Sequence, residues 1–337
     1  MKKTSAMLLA AGLSLAALPA AADDVADFYK GRTITITSGA GAGGGYSVYA
    51  LLLSEHIGKY IPGNPKVIVT YMPGAGGVNA GNFSYNVAPK DGTAIFGPLQ
   101  SLATLQLLGK KGIRYDAAKF VWIGRMAETT SGFVVRRSVA SSLAELEART
   151  TPVNVGVTQP GAPKQIMAAL VPYCTGIKVK LVSGYKGSAP TALAFQRSEV
   201  DGVGLPLDSL RLVYSDILKE TFIAQSGLAR SPYFPDTPLV LDLCKDPAKK
   251  KIVEVFQVQE SMGRSFAVPP GTPAGRVAAL RKAFDEVMKD PQLLHSATER
   301  KLEIGPLAGV ELQKIVERHI ATESDTIAAA KRAVGLK

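Results

Sequence analysis

The sequence predicts an α/β protein of two domains, with a mainly parallel β-sheet in each domain and a cleft between them. Strand-like and helix-like segments alternate along two successive stretches of the chain, a pattern typical of parallel sheets covered by helices. Two long extended segments, residues 120–138 and 255–270, follow these stretches and would carry the chain into the second domain and back. A chain of 337 residues is long enough for two hydrophobic cores. Two domains joined by two crossings would share a hinge.

The first stretch predicts a β-α-β unit. The run RTITIT at 32–37 alternates with period two, and PKVIVTYM at 65–72 is short, apolar and β-branched, so both are predicted strands. Between them, YSVYALLLSEHIGKY places apolar residues on one helical face. A helix that ends at Asn86 and the strand AIFGPL are expected to follow, which repeats the pattern.

The second stretch repeats the alternation and defines the second domain. Strands are predicted in VNVGV, IKVKLV and EVDGVGL, and helices in PKQIMAALVPY and APTALAFQ. The tail is predicted to be helical, with VAALRKAFDEVM as one amphipathic helix and GVELQKIVERHIATESDTIAAAKRA as a long final helix. We therefore assign residues 23–125 plus 262–337 to the first domain and residues 126–261 to the second.

The first 22 residues have the three parts of a secretory signal peptide. Lys2 and Lys3 precede the apolar run MLLAAGLSLAAL, and Ala20–Ala22 supply small residues for cleavage. The apolar run is too short to span a bilayer. The predicted location is therefore the periplasm. This compartment permits a disulfide between Cys174 and Cys244, and two buried free thiols are the equal alternative.

The formal charge of +11 raises the question of a nucleic-acid partner. Lys and Arg are scattered and mostly stand beside acidic residues on predicted helices, as in RKAFDEVMKD, so no nucleic acid is expected. His56, His295 and His319 lie within helix patterns without a Cys, Asp or His at ligand spacing. No metal is expected either.

Two motif matches suggest cofactor or enzyme chemistry, and their contexts argue against it. The spacing Gly39-x-Gly41-x-x-Gly44 fits the dinucleotide fingerprint, but the second strand lacks the acidic residue that would bind the ribose. No cofactor is therefore expected. Ser183 and Lys186 match the S-x-x-K spacing of penicillin-recognising serine enzymes, yet Ser183 ends a strand instead of beginning a helix. A periplasmic hydrolase that uses Ser183 or Ser188 is kept as an alternative of another class.

Four loops of small residues follow predicted strands and precede predicted helices. Two lie in the first domain, Gly39–Gly45 and Pro73–Gly77, and two in the second, Thr158–Ala162 and Gly184–Ser188. Because ligands of open α/β sheets bind beyond the carboxyl ends of the strands, these loops are expected to converge on one cleft. Backbone amides, hydroxyl groups and helix N-termini suit a small carboxylate. Without a base, nucleophile or metal among them, the pattern predicts binding rather than catalysis.

The predicted ligand-binding residues combine backbone amides with a few polar side chains. They are Ser38, Gly39, Ala40, Gly41, Ala42, Gly43, Gly44, Ser47, Ala75, Gly76, Gly77, Thr158, Gln159, Gly161, Ala162, Lys186, Gly187 and Ser188. Lys186 is included because it could pair with a distal carboxylate, although a lysine in such a loop equally suits solvent. No catalytic residue and no metal ligand are assigned.

Several short motifs, taken in order, carry a family resemblance. They are FYKGRTITIT with GAGGG, YMPGAGG, APKDGT, GYKGSAP with EVDG, SPYFPDTP and AVPPGTP. Together they make the chain resemble the extracytoplasmic solute receptors of tripartite tricarboxylate transporters, the Bug or TctC-like proteins. The resemblance implies a two-domain periplasmic binding protein of the type II-like flytrap architecture. Such a receptor closes on a small organic mono- or dicarboxylate and hands it to the membrane permease subunits, and we expect a monomer.

The resemblance also implies roles for the four loops. In the family, loops matching Gly39–Gly45 and Ala75–Gly77 hold a ligand carboxylate, partly through ordered water. Loops matching Thr158–Ala162 and Lys186–Ser188 contact the other end of the ligand.

This sequence departs from the family at two places that touch the ligand. Ser47 stands where the first helix usually carries an Asp, and TQPGAPK replaces a serine-rich loop. Without that Asp no group is expected to meet a ligand ammonium, so a plain carboxylic acid is predicted over an amino acid. A sensor system in place of the permease is the alternative for the partner.

Overall fold

Two β-sheets, each covered by helices, form two lobes and confirm the predicted α/β fold. The structure is a computed structural model that describes residues 20–158, 162–227 and 229–336. Residues 1–19 of the predicted signal peptide lie outside the described residues. Within the described part of the chain, none of the helices has both the length and the apolar character needed to cross a membrane.

The strands divide between a sheet of six strands and a sheet of five. In chain order the described strands are β1 Thr33–Ser38, β2 Lys66–Tyr71, β3 Ala94–Gly97, β4 Val121–Arg125, β5 Ser131–Val135, β6 Val153–Gly156, β7 Val179–Val182, β8 Gly202–Pro206, β9 Thr221–Gln225, β10 Ser265–Val268 and β11 Leu307–Ala308. The first sheet has the order β11-β4-β10-β3-β1-β2, and the second has the order β7-β6-β8-β5-β9.

The helices fill the connections between these strands. In chain order the described α-helices are α1 Ala20–Tyr29, α2 Gly45–His56, α3 Val78–Asn86, α4 Leu102–Leu107, α5 Leu143–Ala148, α6 Pro163–Thr175, α7 Ser188–Gln196, α8 Leu207–Leu212, α9 Val240–Leu243, α10 Pro247–Met262, α11 Ala274–Val287, α12 Pro291–Glu299, α13 Gly309–Ile320 and α14 Ser324–Ala333. Short 3₁₀ turns lie at Ile57–Tyr60, Ala75–Gly77, Ala117–Lys119 and Ser215–Lys219.

Each sheet is mixed rather than mainly parallel, with a parallel set of three strands at one edge. β1 pairs in parallel with β2 and β3, and β6 pairs in parallel with β7 and β8. β5 and β10 instead run antiparallel to the strands on both sides of them. These are the first strands after the chain passes between lobes, so no helical crossover imposes a parallel direction on them. Sequence alternation alone therefore does not reveal the antiparallel strands.

Neighbouring side chains of one strand enter different cores, which shows that the sheets are covered on both faces. On β4, Trp122 packs in one buried cluster and Ile123 in another, and both side chains are fully buried. On β5, Phe133 and Val134 separate in the same way. The alternation follows from the period of two in a strand. Trp122, the only tryptophan, is thus a core residue.

Two secondary-structure assignments made from the sequence are wrong. Residues 255–262, predicted to be extended, complete α10, which Asp246 caps and Pro247 begins. The predicted long final helix is divided into α13 and α14, with a break at 321–323. The break allows the two helices to serve different lobes. Val316 of α13 is buried in a first-lobe cluster, whereas Ala330 of α14 is buried in a second-lobe cluster.

Two segments that connect the lobes pair with each other through their backbones. The Met126 amide donates to the Arg264 carbonyl at 2.9 Å, and the Arg264 amide donates to the Ala127 carbonyl at 2.8 Å. Gly263, which precedes Arg264, has φ +38°. A Cβ at this position would collide with the Ala127 carbonyl oxygen. These contacts form the hinge that the two predicted crossings imply.

The break between α13 and α14 adds a third connection between the lobes. α14 packs against α6 and α10, and the Gln165 side chain on α6 donates to the Val334 carbonyl at 2.8 Å. The last helix of the segment assigned to the first domain therefore lies against the second lobe. The sequence pattern misses this because both halves of the segment are amphipathic and helical.

Cys174 and Cys244 form a disulfide, which decides between the two alternatives left open by the sequence. Cys174 lies in α6 and Cys244 follows α9, and 70 residues separate them along the chain. The bond therefore fastens two helices on one face of the second sheet.

Gly263→Ala is expected to destabilise the protein strongly because the hinge backbone leaves no room for a side chain. Gly112 also has a left-handed φ, +87°, but nothing lies within 4 Å of an added Cβ, so Gly112→Ala is the matched control. We expect the control to lower the free energy of unfolding by about 1 kcal/mol and Gly263→Ala by about 3 kcal/mol or more. Denaturant unfolding followed by circular dichroism measures both. Equal losses would show that the collision at the hinge is relieved.

Reduction of the Cys174–Cys244 disulfide is expected to lower the free energy of unfolding by about 2 to 4 kcal/mol, because the unfolded chain regains the freedom of a long loop. Calorimetry with and without reductant measures the change. The double variant Cys174→Ala, Cys244→Ala should match the reduced protein and should not respond to reductant. A response in that variant would mean that the reductant acts elsewhere.

Candidate functional site

Parallel pairing brings the four predicted loops to one edge of each sheet. In the first sheet, Ser38 at the end of β1 is level with Tyr71 at the end of β2, so the loops that follow leave side by side. In the second sheet, Gly156 at the end of β6 is level with Val182 at the end of β7. Each loop leads directly into a helix, so the N-termini of α2, α3, α6 and α7 lie at these edges.

The loop after β1 offers unpaired backbone amides. Among the described residues, the amides of Gly41, Ala42 and Gly43 have no hydrogen-bond acceptor. The Ser47 hydroxyl is used within the loop: it accepts from the Gly44 amide at 3.0 Å and donates to the Gly44 carbonyl at 2.7 Å. Ser38 likewise accepts from the Ala40 amide at 3.2 Å. Both serines shape the loop with their side chains, while the free amides are available to an anion.

The loop after β2 is held in an unusual left-handed conformation. Gly74, Ala75, Gly76 and Gly77 all have positive φ, at 129°, 47°, 72° and 91°. A Cβ on Gly77 would also approach Leu99 at 3.1 Å. The Gly77 amide donates to the Gly74 carbonyl at 2.9 Å and closes this turn. The glycines of PGAGG are therefore explained by conformation as well as by closeness to the cleft.

The two second-lobe loops contact each other at the opposite side. The Gly184 amide donates to the Thr158 carbonyl at 3.1 Å, and the Val157 amide donates to the Val182 carbonyl at 2.9 Å. Gln159 and Gly161, which belong to the predicted site, lie outside the described residues.

Loops from both lobes line one cleft of about 680 Å³. The predicted residues that line it are Gly39, Ala40, Gly41, Ala42, Gly43, Gly44, Gly76, Gly77, Thr158, Ala162, Lys186, Gly187 and Ser188. Ser38, Ser47 and Ala75 are not among the lining residues. The geometry thus brings the described part of all four loops together around one space.

Several lining residues were not predicted from the sequence. Three of them, Tyr46, Tyr185 and Lys164, are in or next to the predicted loops along the chain. Their position in the sequence could therefore have indicated that they line the cleft. Pro206, Ser209 and Tyr214 come from the end of β8, from α8 and from the turn that follows, where no glycine loop marks them. Leu99 follows β3, the third parallel strand of the first sheet. A third strand in each sheet therefore contributes to the cleft.

Lys164 and Lys186 are the charged side chains among the described lining residues, and both come from the second lobe. Lys186 is exposed, whereas Lys164 is half-buried in the first turn of α6. Burial, together with the positive charge of Arg264, lowers the pKa of Lys164 to about 8. No carboxylate or hydrogen-bond acceptor among the described residues pairs with the Lys164 ammonium. The second-lobe wall of the cleft is therefore positive.

Two hydroxyl groups on the same wall also have no partner. The Thr158 Oγ1 and the Tyr214 hydroxyl are buried and make no hydrogen bond to the described residues. Buried polar groups in proteins nearly always make hydrogen bonds, so these two hydroxyl groups are candidates for contact with a bound molecule or with water.

Ion pairs join the two lobes at the floor of the cleft. Arg264, fully buried beside the hinge, forms an ion pair with Asp208 of α8, and its Nε lies 3.1 Å from Asp208 Oδ2. The Arg264 guanidinium also lies 3.9 Å from the centre of the Tyr46 ring. Gly45 permits this approach, because a Cβ there would lie 2.8 Å from both the Arg264 Nη2 and Asp208 Oδ2. Arg211 of α8 reaches Glu303 of the first lobe at 3.0 Å.

A buried acid lies next to this floor. The Gln100 Nε2 donates to Glu260 Oε2 at 2.7 Å, and the Tyr46 hydroxyl donates to Gln100 Oε1 at 2.7 Å. Burial raises the pKa of Glu260 to about 8, although the bonds from Gln100 and Ser226 oppose the rise. Glu260 therefore carries a proton at neutral pH and belongs to the polar network beneath Tyr46.

Among the described residues, no group of three or more His, Cys, Asp or Glu side chains is arranged to hold a metal ion. The histidines have structural surroundings: His319 bonds to Thr104 at 2.9 Å, and His56 lies 3.7 Å from Asp290. His295, which is exposed, lies 3.3 Å from Glu299 on the same helix.

The fold, with two lobes joined by a hinge around a shared cleft, is that of the two-lobe periplasmic binding proteins. The periplasmic binding protein BugD superimposes with a TM-score of 0.73 at 20% identity, covering 92% of this chain and 99% of BugD. A Rhodopseudomonas palustris protein solved with adipate gives 0.72 at 20% identity, covering 90% and 97% of the two chains. MatC of the same organism, solved with bound malate, gives 0.69 at 19% identity, covering 88% and 99%.

The sequence comparison agrees with the structural one. A UPF0065 protein of Bordetella bronchiseptica is 25% identical over 295 residues, which is 85% of this chain and 81% of that protein. No protein-family model matches the chain. The structural neighbours are periplasmic binding proteins, so the resemblance inferred from the sequence motifs is confirmed at the level of the fold.

Glu260→Gln is expected to change how stability depends on pH. The folded-state pKa of Glu260 is raised above its unfolded value, so the protonated form stabilises the fold at low pH, and this contribution is lost as the pH rises from about 4.5 to about 8. The amide keeps the shape without the ionisation. The unfolding free energy of Glu260→Gln relative to the natural chain should therefore increase between those pH values. A constant difference across the range would contradict a raised pKa.

Proposed function

We propose that this chain is a monomeric periplasmic solute-binding protein of the Bug or TctC-like family. It captures a small organic carboxylate between its lobes and delivers the ligand to the permease of a tripartite tricarboxylate transporter. One observation carries the proposal: amide-rich loops from both lobes line a single cleft, and its charged lining side chains among the described residues are lysines. The malate and adipate held by the two related structures are carboxylates and support the same class of ligand.

Each wall of the cleft would contribute a different kind of contact. The first lobe supplies free amides in residues 41–43 and the left-handed turn at 74–77, which suit carboxylate oxygens. The second lobe supplies lysines and the unpaired hydroxyls of Thr158 and Tyr214. A ligand that contacts both lobes binds the closed arrangement better than an open one, so binding would favour closure about the hinge.

The lining composition also supports a plain acid over an amino acid. Among the described lining residues no Asp or Glu stands ready to meet an ammonium group. Ser47, which stands where the family resemblance implies an Asp, keeps its hydroxyl bonded to Gly44. Tight binding of aspartate or glutamate relative to the corresponding dicarboxylates would contradict this part of the proposal.

Gly41→Asp is expected to weaken carboxylate binding by placing a negative charge among the free amides. Nothing lies within 4 Å of a Cβ at Gly41, and its φ is not left-handed, so the substitution should not disturb the fold. The control Gly41→Asn has the same shape without the charge. Calorimetric titration with a panel of mono- and dicarboxylates should show affinity at least about 10-fold weaker for Gly41→Asp than for Gly41→Asn.

The same panel tests the function as a whole. A bound carboxylate at about one hundred times its Kd should stabilise the natural chain by about 2.7 kcal/mol, seen as a rise in melting temperature, while NMR shows the ligand chemically unchanged. Turnover of chromogenic esters without any carboxylate response would favour the hydrolase alternative instead.

A further inference from the structure

Lys164 stands in a place that is unfavourable for a lysine in the absence of ligand. It is the second residue of α6, where the positive end of the helix dipole opposes a cation, and the Arg264 charge opposes it as well. Its ammonium has no anionic partner among the described residues. A local arrangement that costs stability without compensation is a sign of a functional role. The missing element is an anion at the second-lobe wall of the cleft.

We propose that Lys164 is a specificity-determining residue that binds a second anionic group of the ligand, so that the preferred ligands carry two acid groups. This inference rests on the proposed function, in which the first-lobe amides hold one carboxylate. A second anionic group at Lys164 would have both the ammonium and the N-terminus of α6 as partners. The hydroxyls of Thr158 and Tyr214 on the same wall would supply further donors.

Lys164 differs from the other lysine of the cleft in its surroundings. Lys186 is exposed in the loop before α7, where solvent and salt weaken its attraction for an anion. Lys164 is half-buried, and a charge pair there is less screened. Lys186→Met removes the same formal charge from the same cleft, so the comparison with Lys164→Met measures how much more the less screened lysine contributes to the choice of ligand.

Binding of a second anion should also take up a proton above neutral pH. The free Lys164 has a pKa of about 8, and an anion beside it would raise that pKa, so affinity should be full below about pH 8 and fall above it. The other titratable groups at the cleft are Lys186 and Tyr46, Tyr185 and Tyr214, with Asp208, Glu260 and Arg264 behind Tyr46. Glu260 titrates in the same range, so Glu260→Gln serves as the second control.

The experiment compares succinate with butyrate, adipate with hexanoate, and suberate with octanoate by calorimetric titration. The natural chain should bind at least one dicarboxylate at least about 10-fold more tightly than its monocarboxylate partner. Lys164→Met should remove that preference, whereas Lys186→Met should change it about 3-fold or less. Titration near pH 9 in buffers of different ionisation enthalpy should show uptake of about half a proton or more, in the natural chain and in Glu260→Gln but not in Lys164→Met.

The outcomes separate this inference from the proposed function. If no carboxylate of the panel binds, the proposed function fails. If carboxylates bind but no pair shows a preference, or Lys164→Met and Lys186→Met lose it equally, the role of Lys164 is refuted while the function stands. Lys164→Met should unfold at the same or a higher temperature than the natural chain, because it removes a cation from a helix N-terminus. A lower unfolding temperature would instead indicate a structural role for Lys164.

Discussion

The parallel pairing of three strands in each sheet is the constraint on which the cleft depends. Because β1, β2 and β3 share a direction, their carboxyl ends meet at one edge, and so do those of β6, β7 and β8 in the other sheet. The loops after β1, β2, β6 and β7 lead into α2, α3, α6 and α7, so the N-termini of these helices lie at the same edges. A site with free amides and positive potential then follows from topology before any side chain is chosen. In the proposed function, the side chains would then only adjust which anion fits.

The two lobes differ in how they present that positive potential. The first lobe uses backbone alone, since its cleft residues are mostly glycine and alanine with Tyr46 and Leu99 as the bulky members. The second lobe adds ammonium and hydroxyl groups on side chains. Backbone amides are fixed by the fold and are insensitive to pH, whereas the Lys164 ammonium responds to burial and to neighbouring charge. In the proposed function, recognition of the acid group and choice among acids would be divided between the lobes.

The sequence predicted the elements whose signals are local. The period of two in RTITIT and the small-residue loops each depend on a few consecutive residues, and β1 and the turns before α2 and α7 lie where these patterns indicate. It did not predict the antiparallel direction of β5 and β10, because direction depends on pairing partners distant along the chain. The same holds for Tyr214, which reaches the cleft from a turn without any local mark. Lys164 was visible in TQPGAPK, but its lack of a partner could be seen only in three dimensions.

The third connection, at residues 321–323, has a consequence for how far the two lobes could separate at the cleft. Two lobes joined only at one hinge axis can rotate about that axis. The paired segments at 126–127 and 263–264 form such an axis. The linker between α13 and α14 is a further connection, and it is only three residues long. The lobes could therefore separate only as far as this linker can extend, unless α14 detaches from α6. In the proposed function, this connection would limit how far the lobes separate and so the size of the ligand that enters.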